Sequence, residues 1–131
     1  MGQVVRATVV LVEDREDIRQ VVPLMLDVAE LDCVTYATSA EAIAAAAASE
    51  DPPALLITDA NLDDGTGRDV ADAWRTEFPE LPILVTSGRT AAELTARGVI
   101  APGDPFLPKP FTLEGLLTTV RHLTAPMRDV A

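Results

Sequence analysis

Ala54-Leu55-Leu56-Ile57-Thr58-Asp59 carries a short apolar segment straight into a carboxylate. Pro52-Pro53 precede it, and a polar turn bearing Asn61, Asp63, Asp64, Gly65 and Gly67 follows. An apolar run this short, bounded by prolines and glycines, predicts a buried strand. The C-terminal ends of such strands are where open α/β sheets place their ligand sites. Asp59 is therefore either a solvated turn residue or a group with chemistry to perform.

Working outward, residues 7–12 form a second β-branched run that ends in Glu13-Asp14. Residues 15–30 predict a helix with Ile18, Val21, Val22, Met25, Leu26 and Ala29 on one stripe. Pro23 falls inside it and predicts a kink, since a proline there removes a hydrogen bond and costs about 3 kcal/mol. Residues 33–37 alternate like a half-polar strand. Thr38-Ser39-Ala40-Glu41 reads as a capping box opening an alanine-rich helix to about Ser49. Residues 67–78 predict a helix with Val70, Ala71, Trp74 and Phe78 inward, and residues 81–88 a buried strand ending in hydroxyls. Thr90-Ala91-Ala92-Glu93 is a second capping box, with Gly98 as the C-cap of a short helix. Residues 106–111 form a short last strand, placed at an edge by its prolines. Thr112 caps a final helix with Leu113, Leu116, Leu117, Val120 and Leu123 inward and His122 in its last turn. The single domain is expected over residues 1–124, with a tail over 125–131.

Five strands alternating with five helices imply an α/β domain with a parallel sheet covered on both faces. The half-polar second strand and the proline-bearing fifth strand both suit edges, which the order 2-1-3-4-5 satisfies. The chain has 131 residues, 48% of them hydrophobic but only 4% aromatic, so the core should be aliphatic. Ten Lys+Arg against 21 Asp+Glu leave a net charge of −11, which disfavours nucleic acid and anionic membranes as partners. Cys33 is the only cysteine, which excludes an intramolecular disulfide and suits the cytoplasm. No apolar run approaches the roughly 20 residues of a membrane span.

In the predicted order, Glu13-Asp14, Asp59, Thr86 and Lys109 end neighbouring strands about 4.8 Å apart. Three carboxylates so close raise one another's pKa unless a cation intervenes. An oxygen-only donor set suits Mg²⁺. Asp59 would then be a nucleophile toward a phosphoryl group, with Thr86 donating to a phosphoryl oxygen and Lys109 offsetting its charge.

With these residues assembled, the chain resembles a response-regulator receiver domain, the phosphoacceptor module of two-component signalling, over about residues 7–124. The carrying motifs are Val10-Leu11-Val12-Glu13-Asp14, Leu56-Ile57-Thr58-Asp59 with Gly67 eight residues on, Val85-Thr86-Ser87-Gly88 and Phe106-Leu107-Pro108-Lys109-Pro110-Phe111. The last also resembles receivers attached to hybrid histidine kinases. The resemblance implies a flavodoxin-like doubly wound fold, whose 2-1-3-4-5 order chemotaxis receivers already exemplify. It implies that Asp59 accepts a phosphoryl group from a histidine kinase or histidine phosphotransfer protein. Glu13, Asp14, Asp59 and the backbone carbonyl of Asn61 would hold Mg²⁺, and Lys109 would pair with the phosphoryl group next to a cis Lys109-Pro110 bond. Thr86 and Phe106 would switch, altering the surface of the fourth helix, fifth strand and fifth helix to control a protein partner.

Two features depart from the family. Asp63 replaces the usual proline and Asp64 follows it, adding two charges that would either tighten the metal or slow an anionic donor. Phe106 lacks the hydroxyl of the tyrosine also common at its position. The competing readings are a receiver-like binding module that is not phosphorylated and, more weakly, a Mg²⁺-dependent aspartyl-phosphate phosphatase. Against the latter, haloacid-dehalogenase-like enzymes place Asp-x-Asp after the first strand, whereas Asp59 follows the third and Asn61 stands two residues on. The chain is expected to be either a free-standing receiver or one cut from a longer protein.

Overall fold

A computed structural model describes residues 6–128. In chain order the elements are β1 (Thr8–Val12), α1 (Glu16–Val28), β2 (Asp32–Tyr36), α2 (Ser39–Ala48), β3 (Leu55–Asp59), β4 (Asn61–Leu62), β5 (Gly65–Thr66), α3 (Gly67–Glu77), β6 (Ile83–Ser87), α4 (Ala91–Ala96), β7 (Phe106–Pro108) and α5 (Leu113–Arg128). The main sheet is parallel, in the order β2-β1-β3-β6-β7. This is the expected 2-1-3-4-5 order once the small β4–β5 hairpin is counted. Among the described residues no helix is long and apolar enough to cross a membrane.

Apolar runs on the strands become two core layers because successive side chains leave opposite faces of a sheet. Val10, Val12, Leu56 and Val85 face Ala42 of α2, Val70 and Trp74 of α3 and Leu94 of α4. Val9, Leu11, Leu55, Ile57 and Leu84 face Val22 and Leu26 of α1 and Leu116, Leu117 and Val120 of α5. Both faces are thus covered, which is why β1 and β3 read as unbroken apolar runs. The alanines of α2 bring it close to α3, and Trp74 donates its Nε1–H to the Ala42 carbonyl at 3.0 Å.

The helix ends follow local chemistry, with several differences from the expected pattern. Thr38 accepts from the Glu41 N–H, but its hydroxyl donates to the Glu41 carboxylate, so no reciprocal box forms there. A full box instead opens α3, between Thr66 and Asp69, where none was expected. Val21 is half exposed and not inward, because it lies at the flank of the stripe that Val22 and Leu26 bury. Helix α1 continues through Pro23 as one element. Helix α5 runs on to Arg128, so the tail does not begin at Ala125 and His122 is not in the last turn. Its buried face runs through Leu116, Leu117, Val120, Leu123 and Thr124, while Leu113, expected inward, is 42% exposed in the first turn. Residues 129–131 of the expected tail lie outside the described residues.

Helices α1 and α4 close alike. After α4, Val99 N–H donates to Leu94 and Gly98 N–H to Thr95, with Gly98 at φ +72°. After α1, Leu31 and Glu30 make the same two bonds, to Leu26 and Asp27, but Glu30 holds φ +61°. Both are Schellman ends, and only the first has glycine at the left-handed position. The left-handed backbone costs a non-glycine residue about 1–2 kcal/mol, partly offset by the unfolded-state freedom that glycine adds. Glu30→Gly should therefore raise stability by about 0.5–1 kcal/mol, read as a higher urea midpoint with an unchanged slope.

Candidate functional site

The C-terminal ends of β1, β3, β6 and β7 meet at one edge of the sheet. Register sets Val12 beside Thr58, Asp59 beside Thr86, and Ser87 beside Pro108. The residues that follow β1 and β7 are Glu13-Asp14 and Lys109. Carboxylate oxygens of Glu13, Asp14 and Asp59 all lie within 4.8 Å of one another. The Lys109 ammonium sits between two of them, 2.7 Å from Glu13 Oε2 and 3.1 Å from Asp59 Oδ2. The structure thus brings Glu13, Asp14, Asp59, Thr86 and Lys109 together as the sequence reading required.

Each group is held from behind. The Lys109 N–H donates to the Ser87 carbonyl at 2.8 Å, and the Lys109-Pro110 bond is cis. Glu13 is 1% exposed and also accepts from the Arg15 N–H at 3.3 Å, while Arg19 Nη1 donates to its carbonyl. Burial holds the Glu13 carboxyl above its ordinary pKa, and the hydrogen bond from Lys109 opposes that shift without cancelling it. Asp59 accepts from the Asn61 N–H at 3.4 Å. Ala60 N–H donates to the Thr86 carbonyl, which ties β3 to β6 at this level. Thr86 is buried, and Phe106 is half-buried against the α2–α4 core layer.

Gly67 explains its spacing from Asp59. Its N–H donates to the Ala60 carbonyl, and a Cβ built there would lie 2.5 Å from the Asp59 carbonyl oxygen. No side chain fits that approach, so α3 starts directly beneath the acidic cluster.

The two extra aspartates separate. They form the turn of the β4–β5 hairpin, whose register pairs Asn61 with Thr66 and Leu62 with Gly65. Asp64 turns away from the cluster and accepts from the Ser39 and Ala40 N–H groups at 2.8 and 3.0 Å. These are unpaired donors of the first turn of α2, and their bonds hold the Asp64 carboxyl below its ordinary pKa. Asp63 turns the other way. The negative charge of Asp14 holds the Asp63 carboxyl above its ordinary pKa. Sequence reading saw two added charges but not this division, which depends on where α2 begins in space.

Beside the cluster lies a groove of about 580 Å³, bounded by Arg15, Ile18, Val21, Met25, Lys109 and Phe111. The same helix exposes Val21 (50%), Leu24 (71%) and Val28 (60%). An apolar surface of this kind next to a reactive cluster is a feature of protein interfaces.

Comparison with known proteins agrees with this geometry. The family model for the response regulator receiver domain matches residues 9–121. The chain is 32% identical over 116 residues to the probable transcriptional regulatory protein TcrX of Mycobacterium tuberculosis, covering 88% of this chain and 49% of that one. It therefore spans about half the length of such curated relatives. A response regulator receiver protein from Sinorhizobium medicae superposes with a TM-score of 0.80 at 26% identity, covering 92% of this chain and 95% of the other. The receiver domain of the sensor histidine kinase PA1611 from Pseudomonas aeruginosa, solved with a magnesium ion in its active-site cleft, gives 0.81 at 18% identity, covering 92% and 99%.

Asp64 yields a prediction on stability. A carboxyl whose pKa is depressed on folding stabilises the native state above its unfolded value, and that contribution is lost as pH falls through the folded value. Asp64→Ala should melt at a lower temperature than wild type at pH 7 in EDTA. The gap should hold down to about pH 4, the ordinary range of an aspartate, and close below it. Thermal unfolding followed by circular dichroism across that range checks both limbs.

Proposed function

The chain belongs to the response-regulator receiver family, and from that premise we propose that it is a phosphoacceptor switch of a two-component or phosphorelay system, with Asp59 as the acceptor. The observation that carries this reading is the Lys109 ammonium shared by Asp59 and the buried Glu13. A nucleophilic carboxylate, a mobile cation and a partly empty charge balance are what an incoming phosphoryl group requires.

An Asp59 oxygen attacks phosphorus in line with the bond to the donor nitrogen. The new O–P bond forms as the P–N bond of a phosphohistidine breaks, and the imidazole leaves and takes up a proton. Lys109 leaves its carboxylate partners for a phosphoryl oxygen. Thr86, beside Asp59 in register, donates its hydroxyl to another. The donor set of Glu13, Asp14, Asp59 and the backbone carbonyl of Asn61 is made of oxygen alone, and its three carboxylates are as close as a single ion needs. It suits Mg²⁺, which when bound neutralises charge on the transferring phosphoryl group. The protein is a phosphoacceptor rather than an enzyme that turns over a separate substrate.

Movement of Thr86 toward the phosphoryl group would open space for the half-buried Phe106 to enter. We place the switch there, in Thr86 and Phe106, with the surface of α4, β7 and α5 as its output toward a protein target. Such a switch shifts a population between two states and needs only a differential contact in each. The groove along α1 reaches Lys109 and supports a protein donor, a histidine kinase or a histidine phosphotransfer protein, in contact with Ile18, Val21 and Met25. A donor of this kind supports a cytoplasmic location for the chain. The net charge of −11 supports protein, not nucleic acid, as the partner of this domain, whatever the longer regulators it resembles bind elsewhere.

Incubation with acetyl phosphate should add one phosphoryl group to the intact mass, only with Mg²⁺, and never in Asp59→Asn. If that small donor fails, a phosphohistidine protein should replace it. No adduct with either would favour a binding module that is not phosphorylated. Lys109→Ala should accept the phosphoryl group but lose the phosphorylation-dependent change in hydrogen exchange over residues 91–112. An unchanged exchange response would count against Lys109 as the coupling group.

A further inference from the structure

Resting on the metal-binding reading above, we propose that Asp64 is a positioning residue for the cation site, a clamp that fastens the loop carrying Asn61 to the first turn of α2. The Ser39 and Ala40 N–H groups donate to Oδ1 and Oδ2 of Asp64 at 2.8 and 3.0 Å, and the Ser39 hydroxyl donates to the Asp64 carbonyl at 3.4 Å. Each carboxylate oxygen has its own donor, which fixes the orientation of the side chain as well as its position. Gly65 lets the two segments close on each other, since a Cβ built there would lie 2.8 Å from Ser39 Oγ. Ser39 itself is buried, so the joint is shielded from water.

The place of this clamp gives it a task beyond capping a helix. Asn61 and Asp64 belong to one small hairpin, whose ladder is Asn61 with Thr66 and Leu62 with Gly65. A ladder that short does not hold its shape alone. Gly67 secures the base of the loop through its bond to the Ala60 carbonyl, and the buried Leu62 secures one strand. The turn depends on Asp64, because Asp63 stands where the family usually has a proline to stiffen it. Without the clamp, the backbone that presents the Asn61 carbonyl beside Asp14 and Asp59 would be ordered by the ion itself. That ordering costs conformational entropy, which is subtracted from the affinity. Groups that only orient a metal's ligands are known to matter for affinity in this way. In this proposal α2 serves the cation site while contributing no ligand to it.

Titration calorimetry of the full chain with MgCl₂, at fixed pH and ionic strength, separates clamp from charge with Asp64→Ala, Asp64→Asn and Ser39→Pro beside wild type. Ser39→Pro removes one N–H donor and the hydroxyl, and leaves every charge in place. Proline suits this first helical position, and Thr38 before it is already extended, with ψ 158°. Asp64→Ala and Ser39→Pro should each bind Mg²⁺ roughly tenfold more weakly. Asp64→Asn, which keeps one acceptor, should fall between them and wild type. In the metal-free proteins, amide exchange over residues 61–66 should quicken in Asp64→Ala and Ser39→Pro. Equal weakening in Asp64→Ala and Asp64→Asn, with folded Ser39→Pro near wild type, would make the effect one of charge and overturn the inference. So would an Asp64→Ala affinity within about twofold of wild type, or unchanged exchange over residues 61–66 in that variant. Each of these leaves the metal site standing. A wild-type protein that binds no Mg²⁺ would remove both the inference and the metal-binding reading beneath it.

Discussion

One ammonium group sets the terms for this structure. Lys109 lies 2.7 Å from Glu13 and 3.1 Å from Asp59, and it is the cation inside a cluster of carboxylates at the carboxyl ends of parallel strands. Glu13 is almost wholly buried, and a buried carboxylate without a partner is far costlier than one in water. Lys109 comes from β7, the last strand, and its N–H is anchored to Ser87 at the end of β6. The contact therefore joins the first and last strands of the sheet across 96 residues of chain. A group that compensates buried charge in the resting protein is also the group an arriving phosphoryl dianion would recruit. In the proposed function, folding and switching would draw on the same cation.

The surroundings divide into parts that hold the cluster rigid and parts that remain free. Gly67 lets α3 begin in contact with the Asp59 backbone, and the Thr66–Asp69 box fixes that start. Asp64 ties the hairpin to α2 with bonds that any helix terminus offers to a carboxylate. Against this frame the proposed switch assigns movement to Lys109, Thr86 and Phe106. Lys109 is shared between two carboxylates, and Phe106 is half-buried at the margin of its core layer. Rigid elements around a few bistable side chains are what allow a local charge change to alter a distant surface.

Charge and apolar area are also sorted over the surface. The face of α1 that does not meet the sheet carries Val21, Leu24 and Val28, and the groove beside it ends at Lys109. A partner bound there by apolar contacts would already be oriented toward the proposed acceptor, so recognition and transfer would share one edge of the domain. Such an arrangement would convert a bimolecular step into one with its geometry largely set.

Much of this was legible in the chain itself. The alternation of apolar runs and amphipathic stretches determined a parallel, doubly wound sheet, because period-2 and period-3.6 patterns are local signals. Proline in the fifth strand and polarity in the second determined the edges, and with them the convergence of Glu13, Asp14, Asp59, Thr86 and Lys109. What only tertiary structure decided depends on directions in space. Asp63 and Asp64 are chemically identical neighbours, and only the position of the α2 terminus turns one into a helix cap and leaves the other exposed in the field of Asp14. Val21 was assigned inward by spacing alone, yet it lies at the flank of the stripe that Val22 and Leu26 bury and is half exposed. The end of α5 and the β4–β5 hairpin escaped as well. Thr124 and Leu62 owe their burial to what they pack against, and a one-dimensional pattern does not contain its own neighbours.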